Sequence, residues 1–127
     1  MNAEVTAALS TARRHLSHAR IILAAGVAEV AGREAYLAGY HAALAYVFAV
    51  TGKVAKTHSG LRTEFARLSR ADTRLDFGFV RFLAEGYELK VLSDYGQQAI
   101  APSAAAIDAI AAAERMLNAI EAILSPP

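Results

Sequence analysis

Ala35-Tyr36-Leu37-Ala38-Gly39-Tyr40-His41-Ala42-Ala43-Leu44-Ala45-Tyr46-Val47-Phe48-Ala49-Val50-Thr51-Gly52 runs for 18 residues without Asp, Glu, Lys or Arg. The reading of this stretch decides the fold. Eighteen residues only touch the lower bound for a membrane span, and this run carries His41, three tyrosines and two glycines. A central helix buried on several sides is the better account, because apolar residues extend nearly all round it. No membrane association is expected.

Working outward, the first helix is expected from about Ala3 to Ala25. Val5, Ala8, Ala12, Leu16, Ala19 and Leu23 recur there at spacings of three and four. Gly26 is a natural stop. The central helix starts at Val27 or Glu29 and ends on Gly52. A basic loop, Gly52-Lys53-Val54-Ala55-Lys56, leads to a short third helix, capped by Thr57 or Ser59 and reaching Ser69. A fourth helix is predicted from Thr73 to Leu92, with Leu75, Phe79, Phe82, Leu83 and Leu89 facing inward. Ser93 to Ala101 reads as a loop. Pro102 suits the start of the last helix, whose stripe is Ile110, Ala113, Leu117, Ile120 and Leu124. The expectation is an all-α, up-and-down bundle of four to five helices in a single domain, residues 1–127.

Composition agrees. Hydrophobic residues make up 55% of the 127, above the roughly 45–50% usual for soluble domains, and much of that is alanine, the best helix former. There are no cysteines, which excludes disulfides, thiolate metal sites and a cysteine nucleophile. Together with an N-terminus that meets Arg13 and Arg14 before any apolar run, this suggests a cytoplasmic protein. The net charge is only +1, so affinity for nucleic acid must come from a local patch. Residues 52–90 hold eight Lys/Arg against five acids, and residues 91–127 hold one against four. The middle therefore carries +3 and the tail −3. That asymmetry marks either an RNA-facing surface or a solvated face answered by the acidic last helix.

Three blocks now resemble one family. Arg33-Glu34-Ala35-Tyr36-Leu37-Ala38-Gly39-Tyr40-His41-Ala42-Ala43, Lys56-Thr57-His58-Ser59-Gly60-Leu61 and Tyr87-Glu88-Leu89-Lys90-Val91-Leu92-Ser93-Asp94-Tyr95-Gly96 follow in order. They are similar to the corresponding blocks of the small prokaryotic branch of the HEPN domain (higher eukaryotes and prokaryotes nucleotide-binding). The resemblance implies a HEPN-like bundle that pairs into a homodimer. It also implies a place in a toxin–antitoxin-type system, beside a minimal nucleotidyltransferase partner, binding or cleaving RNA. Active members of the family resemble metal-independent endoribonucleases, with an Arg-x4–6-His motif near the end of the fourth helix. Here Lys90 stands where the motif has Arg, and Tyr95 where His could stand. Lysine offers charge but no bidentate fork, and tyrosine is a poor base at neutral pH. The alternative is a non-catalytic nucleotide- or protein-binding module.

The candidate residues follow. Lys90, Asp94 and Tyr95 are the catalytic candidates, at the end of the fourth helix where the resemblance puts a cleft; Asp94-Tyr95-Gly96 also reads as a plain turn. Lys53, Lys56, His58, Ser59 and Arg62 are candidates for nucleotide or RNA binding, since His58 lies near a helix N-terminus among cations. The other reading of that block is a hydrogen-bonded cap fixing the loop to its helix. His41 is expected to be a buried, hydrogen-bonded histidine. Arg13 and His18 spell Arg-x4-His by coincidence, in the wrong helix. His15 and His18 are three apart, but no neighbouring carboxylate cluster completes a metal site, so no metal is assigned and no cofactor is expected.

Overall fold

The computed structural model describes residues 2–94 and 103–126. Five helices follow one another: α1 (Ala3–Ala24), α2 (Ala28–Thr51), α3 (His58–Arg70), α4 (Gly78–Asp94) and α5 (Ser103–Leu124). No strand occurs among the described residues. None of these helices is long and apolar enough to cross a membrane.

α2 is the axis of the bundle and packs against all four other helices. Its charge-free stretch does what the sequence indicated: Ala35, Tyr36, Ala38, Ala42, Ala43, Ala45, Tyr46 and Val47 are all buried. Alanines on α1 (Ala12, Ala19) and α5 (Ala106, Ala113) are buried too, so backbones approach closely. Leu16, Leu61, Phe65, Leu83 and Leu117 fill the larger spaces, each contributing about 1.5–3 kcal/mol of burial.

Local chemistry sets the helix ends. The Asn2 side chain accepts from Val5 N–H at 2.9 Å and opens α1. Gly52, at φ 73°, closes α2 in the left-handed conformation and donates its N–H to Phe48 O. Thr57 rather than Ser59 caps α3, its hydroxyl accepting from Gly60 N–H at 2.9 Å.

The fourth helix departs from the prediction at both ends. It begins at Gly78, five residues after Thr73, because Asp72 and Asp76 draw the backbone into turns. Leu75 N–H bonds to Asp72 O, and the Asp76 side chain accepts from Gly78 N–H at 2.7 Å. The Asp72 carboxylate also accepts from Arg74 and from the Tyr46 hydroxyl (2.6 Å), which ties the turn to α2. Leu75 is buried from this turn instead of from a helix. At its far end α4 continues through Ser93 and Asp94, which the sequence had suggested were loop. Tyr95, Gly96, the rest of the expected loop and Pro102 lie outside the described residues.

The acidic last helix does not answer the basic middle segment in the way that one of the two expectations had it. Glu114 and Glu121 of the acidic last helix reach Arg20 (2.6 Å) and Arg13 (2.7 Å) of α1, not the basic middle segment. In that middle segment, Arg67 pairs with Glu64 and Arg74 with Asp72.

Candidate functional site

Three helix faces meet around His58. On α2, Arg33, Tyr36 and Tyr40 are spaced three and four apart. On α3, His58 and Arg62 are one turn apart. On α4, Tyr87, Lys90 and Asp94 again fall at three and four. Each set shares one side of its own helix, and packing turns the three sides toward one another.

Glycine makes the approach possible. A Cβ on Gly86 would sit 2.9 Å from Tyr36 Cδ1 and 3.0 Å from Tyr36 Cβ, so only glycine lets α4 lie against the tyrosine. A Cβ on Gly39 would run into the Phe82 ring. These two positions, one on each helix, bring Tyr87 and Lys90 within reach of His58.

At the centre, the Tyr36 hydroxyl and His58 Nδ1 are 2.6 Å apart. The ring of His58 stacks on Tyr40 (centroids 4.3 Å apart) and lies 5.7 Å from Tyr36 and 5.6 Å from Tyr87. The Arg62 guanidinium sits 4.2 Å over the Tyr87 ring, a cation–π contact. Its Nη1 is buried with no hydrogen-bond partner among the described residues. Asp94 is held by two cations: Lys90 on its own helix, and Arg33 Nε across the bundle at 2.6 Å.

Electrostatics follow from this crowding. Burial pushes the fully buried Tyr36 phenol up to about 12, only partly offset by the nearby Arg62 charge. Tyr36 therefore keeps its proton at neutral pH. With Tyr36 as donor to Nδ1, the neutral imidazole carries its proton on Nε2. Burial lowers the His58 pKa, the Lys90 and Arg62 charges lower it further, and Asp94 works the other way. Hydrogen bonds from Lys90 and Arg33 hold the Asp94 carboxyl below its usual range. The result is an uncharged, partly accessible imidazole flanked by three cations and one carboxylate. Such a site suits an anion that brings its own acceptor oxygens. A phosphate would compete with Asp94 for Lys90 and Arg33.

The sequence candidates divide. His58, Arg62, Lys90 and Asp94 come together, which joins the binding set to the catalytic set. Asp94, the last residue of α4, bridges two cations, while Tyr95 and Gly96 of the turn that the sequence also allowed lie outside the described residues. Lys53 acts on Glu64, on another side of α3, and Lys56 and Ser59 are exposed away from the ring cluster's bonds. Tyr95 lies outside the described residues. Among His58 and its neighbours, Thr57 supplies the cap, while His58 itself bonds to α2. Sequence reasoning passed over Arg33, Tyr36, Tyr40 and Tyr87 as site residues. The available signal was the three- and four-residue spacing of Arg33, Tyr36 and Tyr40, and of Tyr87 with Lys90.

Among the described residues His41 has no side-chain hydrogen bond, unlike the buried, hydrogen-bonded histidine expected. It is partly buried, stacks on His15 (centroids 5.3 Å apart, 13° between planes) and meets the Tyr40 ring edge-on. Burial, with the neighbouring His15 and His58 imidazoles adding to it, pulls its pKa down to about 4. The α1 histidines also gain a partner that their sequence neighbours did not offer. Glu34 of α2 accepts from His15 Nδ1 at 2.9 Å and lies 3.8 Å from His18 Nδ1.

No curated protein matches this sequence. A family model, HEPN domain, matches residues 5–123, which takes in α2, α3 and α4 whole and nearly all of α1 and α5. With that match over almost the whole chain and an all-helical bundle beneath it, this chain belongs to the HEPN domain family.

Proposed function

We propose that this chain is an RNA-binding HEPN module that acts, as a homodimer, in a nucleotidyltransferase-linked toxin–antitoxin-type system. Family membership supports the RNA-directed part of this reading. One observation carries the site: Arg33, Arg62 and Lys90, from three different helices, converge beside a neutral His58. Backbone phosphate pairs with the cations, and the exposed parts of Tyr40, His58 and Tyr87 offer ring surface to an unpaired base. Single-stranded RNA is the substrate class this combination fits, because only unstacked bases can reach such rings.

The test is titration of the purified chain with short single-stranded RNAs at a series of salt concentrations. Binding should weaken with salt, and Arg62→Ala or Lys90→Ala should lower both the affinity and the salt slope, the slope by about one unit per lost phosphate contact. Failure to bind any RNA at low salt would reject the reading. The same samples separate binding from cleavage. RNA cut by the wild-type chain and spared by Lys90→Ala and Tyr95→Phe would make the protein an endoribonuclease. Co-purification with a minimal nucleotidyltransferase tests the partner.

A further inference from the structure

A second cluster of chemistry-bearing side chains lies on the other flank of α2. His15 and His18, three residues apart, share one side of α1, and Glu34 faces them from α2. One ligating atom from each of the three lies within 4.8 Å of the others. We propose that His15, His18 and Glu34 form a binding site for a divalent transition metal of the zinc class.

The donor set is the first argument. Two imidazoles and one carboxylate, with remaining positions open to water, is a recognised three-ligand arrangement for zinc. Metal–nitrogen and metal–oxygen bonds of about 2.0–2.1 Å in a tetrahedron place ligand atoms about 3.3 Å apart. The observed separations are 2.9 Å from His15 Nδ1 to Glu34 Oε2 and 3.8 Å from His18 Nδ1 to Glu34 Oε1, with one ligand atom of each residue within 4.8 Å of the others. Side-chain rotations that draw the two imidazoles onto the one carboxylate would close the three ligands around an ion. At the His15–Glu34 contact the ion simply takes the place of the shared proton.

The setting is the second. Glu34 is mostly buried (its side chain 13% exposed), which fixes the carboxylate, while His18 is 48% exposed and leaves a path for the ion. Arg33 Nη1 lies 3.7 Å from Glu34 Oε2 and opposes a cation there. Its Nε is bonded to Asp94, however, so the guanidinium has a partner that does not depend on Glu34. With no cysteine in the chain, no thiolate site competes for a soft divalent ion.

The untagged, full-length chain, freed of metal by chelation, is titrated with Zn²⁺ by calorimetry and with Co²⁺ by visible absorption. One ion per chain should bind, with the visible spectrum of nitrogen–oxygen coordination and a rise in Tm. His18→Ala removes an exposed ligand and leaves the fold intact, so it should weaken binding at least about tenfold. Glu34→Gln should do the same. Absence of saturable binding, or binding unchanged in His18→Ala, would overturn the proposal. RNA binding at His58 is judged separately, by its own titration and by Arg62→Ala and Lys90→Ala, which touch none of the three proposed ligands.

Discussion

The two flanks of α2 carry histidines in opposite electrostatic settings. On one, His58 is bonded to a phenol, pressed against aromatic rings and surrounded by Arg62, Lys90 and Arg33. On the other, His15 and His18 share the carboxylate of Glu34. The first setting disfavours a protonated imidazole and welcomes an anion. The second offers negative charge and welcomes a cation. The residue type is the same, and its neighbours decide what it can hold. His41 stacks on His15 and Arg33 reaches both Asp94 and Glu34, so the two sites touch without sharing a bound group.

The most damaging way to break the contrast is at Gly86. Gly86→Ala adds a methyl 2.9 Å from Tyr36, and overpacking of that kind destabilises by about 1–3 kcal/mol. The better helix propensity of alanine returns about 1 kcal/mol at most. Urea unfolding should show a net loss. RNA affinity should fall as Tyr36 and His58 are displaced, while Zn²⁺ binding at His15 and His18 persists.

Acid tests the His58 flank next. A folded-state pKa below the usual 6.5 means that His58 binds a proton less readily in the folded chain than in the unfolded one. Its contribution to stability is complete above about pH 6.5 and is lost as pH falls through the lowered folded value, with a slope of at most about 1.4 kcal/mol per pH unit. The groups facing it are Tyr36 and Tyr40 of α2, Arg62 of α3, and Tyr87, Lys90 and Asp94 of α4. Stability curves of wild type and His58→Asn between pH 5 and pH 7.5 should converge toward the acid end. Parallel curves would mean that His58 is not held neutral by its surroundings.

Tyr36→Phe is the mildest change. It removes the 2.6 Å bond to His58 and keeps the ring, so about 1 kcal/mol of stability should be lost. His58 is then free to exchange its ring proton between nitrogens, which nitrogen NMR would detect as mixed tautomers. An unchanged, single tautomer would show that the phenol does not set it.

Much of the fold was legible beforehand because helix periodicity is local. The alanine spacing, the charge-free stretch and the stops at Gly26 and Gly52 each act within a few residues. The start of α4 was misread for an equally local reason. Leu75 keeps the apolar spacing, but Asp72 and Asp76 offer the backbone better partners than a helix would. His58, Arg62, Lys90 and Asp94 were each picked out singly, by charge and by family resemblance. Their membership in one site was not visible, and neither was the exclusion of Lys53.

The chain's residue order thus determined the five helices, the central place of α2 and membership of the HEPN family. Only the tertiary structure decided the pairings: Tyr36 with His58 across 22 residues, Glu34 with His15 across 19, and Arg33 with Asp94 across 61. Spacing along a helix says which side chains share a face. Which faces meet depends on how closely the backbones can approach, and in this bundle Gly39 and Gly86 set that distance between α2 and α4.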